Sequence, residues 1–532
     1  MIHFNNQSQL KLITTLSNLQ SRILTISFLI VSFMLLNINL SAQPGSIQWE
    51  NNYGGSEYDK AYSIQQTDDG GYIVAGYSET ADGDVSGNNG SMDYWLVKLG
   101  PSGIIQWARN YGGSSYDIAN SVQETNDGGY IVVGESLSDD GDVSGNNGSG
   151  NVPSSDYWLV KLDENGNILW EENYGGSNDD NAYSVQQTND GGYIVAGKSE
   201  SNDGNVSENK GDYDFWLVKV NSNGNIEWEE NYGGSDADVA YSVQQTVDGG
   251  YIVAGLSSSD DGDVSDNNFS SDYWVVKLDS SGTIQWEDNY GGTNSDIANS
   301  VKQTEDGGYI VAGYSDSNDG NVPATYTFND YWIVKLNPTG NVQWTGKYGG
   351  VDKDRAKSVQ QTDDGGYIVA GQSESDDGDV SGNNGYRDYW LVKVDSTGDI
   401  EWEGNYGGSF DDEAFSVKQT NDGGYIVAGH SETADGDVSG SNGFADFWVV
   451  KLNGTLSTEN LSSDGEIQTS LYPNPTRNNI TVEANGAKAP LKVILRDITG
   501  RKFSDHKIEN PSNFQIEIAQ EAGIYMLELK DA

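Results

Sequence analysis

The chain contains no cysteine. That excludes disulfides, thiol catalysis, thiolate metal sites and a lipid anchor on an N-terminal cysteine, so stability must come from packing, with bound cations as a further resource. Proline is scarce, with 9 residues in 532, and histidine occurs 3 times. Only His430 lies within the repeats described below, which excludes a histidine-based metal centre or catalytic dyad there. Positive charge is thin: 28 Lys and Arg face 81 Asp and Glu, for a net charge of −53. A surface this acidic disfavours nucleic acid and anionic membranes and suits divalent cations or a salty habitat. No amphipathic helical stretch stands out after residue 42, and one long apolar run exists, Ile23 to Leu40.

Lys11 and Arg22 precede that run, no acid occurs before Glu50, and Ser41-Ala42-Gln43 follows it. This reads as a signal peptide, residues 1–42, cleaved after Ala42. A single membrane anchor is the rival, since 18 residues approach the spanning minimum. Cleavage is preferred because a small residue ends the run and no basic stop-transfer cluster follows. The expected mature protein is therefore not an integral membrane protein.

What the chain has in excess is Gly, Asp, Trp and Tyr, arranged as a repeat. The signature D-G-G-Y-I-V-A-G places its first glycine at Gly70, Gly128, Gly191, Gly249, Gly307, Gly365 and Gly423, in steps of 58, 63, 58, 58, 58 and 58 residues. A fixed period of this size means a solenoid, a propeller or an array. In the first unit, Ala61 to Thr67 is a short strand a. Asp68-Asp69-Gly70 is a turn, because Asp-Gly tolerates the positive φ of tight hairpins. Gly71 to Tyr77 is strand b, Asp93 to Leu99 strand c and Ile104 to Tyr111 strand d. Four antiparallel strands per unit is the content of a propeller blade.

All 14 tryptophans fall at two repeat positions: Trp95, Trp158, Trp216, Trp274, Trp332, Trp390 and Trp448 in strand c, and Trp49, Trp107, Trp170, Trp228, Trp286, Trp344 and Trp402 in strand d. Such strict placement predicts packing between blades, the rival being exposed platforms for sugars. The first repeat element is a lone strand d, Ile47 to Tyr53, and the last is a strand c, Asp446 to Leu452. Seven complete blades form only if the N-terminal strand closes the last one, which also removes the open sheet edge. The expectation is a closed, all-β, seven-bladed β-propeller of four-stranded antiparallel blades over residues 43–453.

Two faces follow. The a–b and c–d turns are short and share one face; the long b–c loops and the d–a connections share the other, where binding is expected. The b–c loops carry an acidic pattern: Asp82, Asp84, Asn88 and Asp93 in blade 1, Asp140, Asp142, Asn146 and Asp156 in blade 2, Asp377, Asp379, Asn383 and Asp388 in blade 6. Alternating hard oxygens on a Gly-rich loop make these candidate Ca²⁺ ligands. Asp and Asn also build such turns without metal, and the EF-hand match is poor.

Where the seven copies differ, residues are free to serve a ligand. The column after the strand b glycine reads Tyr77, Glu135, Lys198, Leu256, Tyr314, Gln372 and His430. The b–c loop of blade 2 is longer (Gly148 to Ser155), and that of blade 5 has become Pro323 to Phe328. A basic cluster, Lys347, Lys353, Arg355 and Lys357, lies around the d–a connection into blade 6, suited to an anionic group or to pairing with neighbouring carboxylates. Three arginines at three different blade positions, Arg109, Arg355 and Arg387, do not make the converging triad that propeller sialidases need.

After a polar linker, 454–467, the text changes. Leu471-Tyr472-Pro473-Asn474-Pro475, Asp497-Ile498-Thr499-Gly500-Arg501 and Gly523-Ile524-Tyr525-Met526-Leu527 punctuate alternating apolar strands, as in a small Ig-like β-sandwich over 468–532. These motifs, in this order and spacing, resemble the type A C-terminal sorting domain of the type IX secretion system of Bacteroidetes. The resemblance covers residues 471–532. It implies engagement of the type IX machinery, export through the periplasm and across the outer membrane, and removal of the domain with release or surface attachment. Such domains usually run on into a lysine-bearing last strand, whereas this chain stops at Asp531-Ala532. The repeats resemble those of other secreted proteins of the group. The expected function is a secreted or cell-surface, non-enzymatic propeller that binds a glycan or a protein through its b–c face. Alternatives are an extracellular glycan-active hydrolase or lyase, whose two carboxylates would have to break the repeat symmetry, and a structural surface-layer component.

Overall fold

The computed structural model describes residues 44–454, apart from 149–153, 266, 268–269 and 325–328, together with the strands of the region 468–531. Blade 1 consists of Asp59–Gln66, Tyr72–Ser78, Asp93–Leu99 and Ile105–Tyr111, paired antiparallel in that order. Blades 2 to 6 repeat the arrangement. The seventh sheet places Ile47–Tyr53 beside Asp446–Leu452, so the N-terminal strand closes the ring. No helix occurs among the described residues, and none is long and apolar enough to cross a membrane.

The D-G-G turn shows why this sequence folds this way. Gly70 has φ 80°, a left-handed conformation that favours glycine. The Asp69 carboxylate accepts hydrogen bonds from the Thr67 hydroxyl (2.6 Å) and the Gly71 amide (2.9 Å). The buried Lys98 ammonium reaches it from strand c at 2.9 Å. Lys161, Lys219, Lys277, Lys335, Lys393 and Lys451 do the same in the other blades. Turn and strand are thus tied together seven times by one device.

Strands b and c are buried along their length, apart from Glu135, Lys198 and Tyr314 near the end of strand b in blades 2, 3 and 5, and strand d is half-exposed on the rim. There is no single core. Each joint between blades has its own: Ile73, Ala75, Tyr94 and Leu96 of blade 1 pack on Val132, Trp158 and Val160 of blade 2. The strand c tryptophans are fully buried. Trp158 lies 4.5 Å from Tyr94 of the preceding blade, whose hydroxyl donates to the Trp158 carbonyl at 2.9 Å. The strand d tryptophans pack across the next joint, as Trp49 on Tyr72 at 5.8 Å. Both sets therefore serve inter-blade packing.

Ring closure rebuilds a turn from two distant pieces of chain. In blade 3 the c–d turn has Asn221 N donating to Asn225 O (2.9 Å) and Gly224 N to Asn221 O (3.1 Å). In blade 7 the same two bonds run from Asn453 N to Ser46 O (2.9 Å) and from Gly45 N to Asn453 O (3.0 Å). The Tyr406 hydroxyl donates to Gly45 O (2.5 Å) as Tyr111 does to Gly166 O (2.6 Å).

Strand a begins at Asp59, two residues before the expected Ala61, because Asp59 pairs with Ser78. A β-bulge between Ala61 and Ser63 breaks the alternation that would have revealed it. Strand b is Tyr72–Ser78, since Gly71 belongs to the turn. In the C-terminal region, Gln468–Tyr472, Asn479–Asn485 and Phe514–Glu517 form one three-stranded antiparallel sheet. Lys502–Ile508, Leu491–Asp497 and Tyr525–Asp531 form another. The expected signal peptide and most of the linker lie outside the described residues, as do parts of the altered loops of blades 2 and 5.

Candidate binding face and central channel

The acidic b–c loops build joints. Asp82 accepts from the Ser56 amide and the Thr80 hydroxyl, both at 2.8 Å. Asp84 accepts from Gly54 N at 3.4 Å, and Asp93 from Asn89 N at 2.6 Å. Asn88 donates to Ser78 O and accepts from Gly90 N, each at 3.0 Å. Blade 2 repeats this with Asp140 on Ser114 N, Asp142 on Gly112 N, Asn146 on Ser136 O and Asp156 on Asn147 N. Blade 6 repeats it with Asp377 on Val351 N, Asp379 on Gly349 N, Asn383 on Ser373 O and Asp388 on Asn384 N. Ser56, Gly54 and their equivalents belong to the d–a connection, so these bonds lock each loop to the joint beside it. Among the described residues no group of three or more His, Cys, Asp and Glu is placed to hold a metal ion. These side chains build turns and joints.

The strand b exit column forms a layer under this face. Each member pairs with the second residue of strand a: Tyr77 with Lys60, Glu135 with Ile118, Lys198 with Asn181, Leu256 with Val239, Tyr314 with Ile297, Gln372 with Arg355, His430 with Glu413. Tyr77, Leu256, Gln372 and His430 are buried; Glu135, Lys198 and Tyr314 are half-buried. Burial pushes the Glu135 carboxyl up to about 7, against the pull of Lys198. Lys198 pairs with Glu200 at 3.2 Å and lies 4.4 Å over the Tyr213 ring. His430 is held well below the usual imidazole range by burial.

The basic cluster divides. Lys347 is fully buried against Asp330 at 3.3 Å. Arg355 stacks on Tyr314, 5.1 Å from the ring, and donates to Asn329 at 3.3 Å. Lys357, in the innermost strand of blade 6, lies between Tyr314 (6.0 Å) and Phe415 (5.9 Å). Lys353 is exposed. Arg355 and Lys357 thus meet aromatic faces of neighbouring blades.

A groove opens at the joint of blades 6 and 7, with a volume of about 370 Å³. It is lined by Glu374, Tyr386, Arg387, Phe410, Asp411 and Glu432. Tyr386 and Arg387 immediately precede strand c of blade 6, while Phe410 and Asp411 lie in the d–a connection into blade 7. A short parallel bridge joins Arg387 to Asp411. The Arg387 guanidinium donates to Glu374 (3.2 Å) and to Glu413, and lies 3.8 Å from Asp411. Burial and neighbouring acids give Glu432 a raised pKa, with Lys60 and Arg387 opposing. Tyr386 is 72% exposed and Phe410 54%.

The next joint, between blades 7 and 1, carries Phe444 stacked on Tyr58 at 5.5 Å and 16°. Tyr116 is exposed at the joint after that. Among the described residues, the exposed large aromatics are Tyr58, Tyr116, Tyr386, Phe410 and Phe444. All lie on the b–c and d–a face, in one continuous sector of the ring. The repeat comparison missed this groove. Its signal was present: Ser91, Ser154, Asp212 and Ser270 stand where Tyr386 and Phe444 break the column.

Residues 470–532 match the secretion system C-terminal sorting domain. The chain is therefore a seven-bladed β-propeller carrying a type IX sorting domain, which implies export to the cell surface or secretion and engagement of the type IX machinery. No curated protein matches the chain. Solved structures with a similar fold include the Pan2 WD40 domain of Neurospora crassa, at 11% identity and TM-score 0.41, covering 73% of this chain and 88% of that one. A fungal alcohol oxidase in complex with copper is similar at 14% identity and TM-score 0.42, covering 92% and 97%. PorZ, a bacterial surface component of the type IX secretion system of Porphyromonas gingivalis, is similar at 12% identity and TM-score 0.38, covering 91% and 59%. Likeness at this level carries no argument about activity.

Proposed function

We propose that this exported propeller is a non-enzymatic glycan-binding protein whose principal site is the groove between blades 6 and 7. The observation that carries the reading is the pair Tyr386 and Phe410, two aromatic side chains held in solvent above an arginine–carboxylate network. An exposed aromatic face costs hydration unless a partner covers it. The electron-rich ring face attracts the polarised C–H groups of a sugar ring, while Glu374, Asp411 and Arg387 offer acceptors and donors to its hydroxyls. Phe444 with Tyr58, one joint further on, would extend the track along a polysaccharide. A hydrolase reading would draw on the same acids. Glu374, however, accepts a hydrogen bond from Arg387 at 3.2 Å and Asp411 lies 3.8 Å from the same guanidinium, an arrangement that suits hydroxyl recognition better than proton donation.

The test is a glycan array followed by calorimetry on the full chain, with Tyr386→Ala and Phe410→Ala. Each variant is expected to weaken binding about tenfold, the loss of one stacking contact of roughly 1.4 kcal/mol. Unchanged affinity in both variants, or an array blank for the wild type, would overturn the reading. Turnover of a bound polysaccharide would instead favour the hydrolase.

A further inference from the structure

The innermost strands, a, line the central channel and are stitched to one another around it. At their eighth position the stitching is complete. The side chains of Glu124, Gln187, Gln245, Gln303, Gln361, Gln419 and Gln66 each accept a backbone amide of the preceding blade's a–b turn, at 2.8–2.9 Å. At the seventh position the column reads Gln65, Gln123, Gln186, Gln244, Lys302, Gln360 and Lys418. Each glutamine there accepts the amide of the next blade's strand a: Glu124, Gln187, Gln245, Gln303 and Gln419, at 2.5–2.9 Å. Lys302 and Lys418 have no oxygen to offer, so the ring is interrupted at those two places. The wall itself is undisturbed, since Val359 N still donates to Ser300 Oγ beside Lys302 at 3.3 Å.

These two lysines stand on either side of blade 6, half-buried, with only Gln360 between them in the column. In a chain of net charge −53, neither has a carboxylate within 4 Å among the described residues. The acids of the inner strands are engaged elsewhere. Glu124 accepts the Asp68 amide and Glu413 is held by Arg387. The first aspartates of these strands are buried in the blade joints. Burial and the Lys418 ammonium pull Lys302 down to about 7, and burial lowers Lys418 as well. Two lysines therefore stand in the channel wall in place of two hydrogen-bonding glutamines that five other blades retain.

We propose that Lys302 and Lys418 form an anion-binding neck in the channel that takes a small dianionic oxyanion, a sulfate or phosphate group, either free or terminal on a larger molecule. Two ammonium groups, one from blade 5 and one from blade 7, match a tetrahedral oxyanion as point charges, and the low-dielectric wall strengthens the attraction. The site is separate from the blade 6–7 groove and does not depend on the glycan reading.

The test uses the full chain and the variant K302Q/K418Q, which installs the residue found in the other five blades. Inorganic sulfate and phosphate are titrated by calorimetry and by thermal melting, against sodium chloride at matched ionic strength. A sulfated and a phosphorylated monosaccharide form the second arm, which separates a free anion from a terminal group. The wild type is expected to bind at least one of these probes and to melt at a higher temperature in its presence. In the double variant the affinity drops about tenfold or more and the shift disappears. In oxyanion-free buffer that variant melts at the same or a higher temperature, because the glutamine ring is restored. Equal shifts in both proteins, or no binding to the wild type in either arm, would overturn the proposal. If the double variant does not fold, K302Q and K418Q singly must each weaken binding, or the proposal fails.

Discussion

The two faces of this ring were built from the same seven copies and have diverged to different degrees. On the a–b and c–d side, the Asp–Gly turn, its lysine from strand c and the tyrosine hydroxyl that caps the c–d turn recur around the whole ring. On the b–c and d–a side the joint-locking aspartates also recur, but the residues just outside them do not. Tyr386 and Phe444 stand where blades 1 to 4 carry Ser91, Ser154, Asp212 and Ser270, and Phe410 stands in a column that otherwise reads Glu, Ser, Asn or Asp. Identity among copies therefore marks what every joint needs, and departure marks what one joint is released to do. The channel obeys the same rule, with five glutamines keeping the wall and two lysines leaving it.

The largest expected effect contrasts two aromatics of one blade. Trp390 is fully buried against Tyr331 at 4.5 Å, whereas Tyr386, four residues earlier, is exposed. Trp390→Ala should cost about 3–5 kcal/mol in denaturant unfolding. Tyr386→Ala should leave stability within about 0.5 kcal/mol while weakening ligand binding. A comparable loss of stability in Tyr386→Ala would break the distinction between the faces.

A second prediction concerns pH. Burial raises Asp59, Asp93, Asp156 and Asp214 to about 7. The folded state keeps protons there that the unfolded chain has already released, so stability falls as pH climbs from about 4 to about 7. Asp190 and Asp248 behave oppositely. Burial opposes their ionisation, but the neighbouring threonine, a glycine amide and the strand c lysine outweigh it and hold them at about 2. Their contribution is present above the unfolded value near 4 and is lost as pH falls toward 2. The melting temperature should therefore rise from about pH 8 to about pH 5 and drop below about pH 3.5. A melting temperature that is flat between pH 8 and pH 5 would count against the buried aspartates as titrating groups.

The smallest expected effect repairs one copy. The Trp158, Trp216, Trp274, Trp390 and Trp448 indoles donate to a strand d glutamate at 2.9–3.0 Å. Blade 1 has Ala108 at that position, and the Trp95 indole N–H is buried without a partner. Ala108→Glu should stabilise the protein by about 1 kcal/mol, read as a higher denaturation midpoint. A neutral or destabilising result would show that blade 1 has repacked around the alanine.

Much of this was readable one blade at a time. The strands Asp93–Leu99, Ile47–Tyr53 and Asp446–Leu452 appear where apolar alternation and turn residues place them, because those signals act over a few residues. Strand a was misplaced by two residues where the bulge at Ala61 and Ser63 disrupts the alternation. The exit column was legible as variable but not as buried, since burial at Tyr77 or His430 depends on how the next blade packs over it. Lys353, Arg355 and Lys357 are neighbours in sequence, yet Lys353 faces solvent, Arg355 stacks on Tyr314 and Lys357 lies between Tyr314 and Phe415 of the two flanking blades.

The sequence by itself determined the repeat, the number of blades, the closing strand and the sorting domain, because each is written in local pattern or in order along the chain. Tertiary structure decided which departures from the repeat meet. Phe410 lies beside Tyr386 across a joint, and Tyr58 stacks on Phe444 although 386 residues separate them. The Tyr58–Phe444 stack depends on closure of the ring, which brings the first blade against the last, and the other encounter depends on how each blade packs on its neighbour.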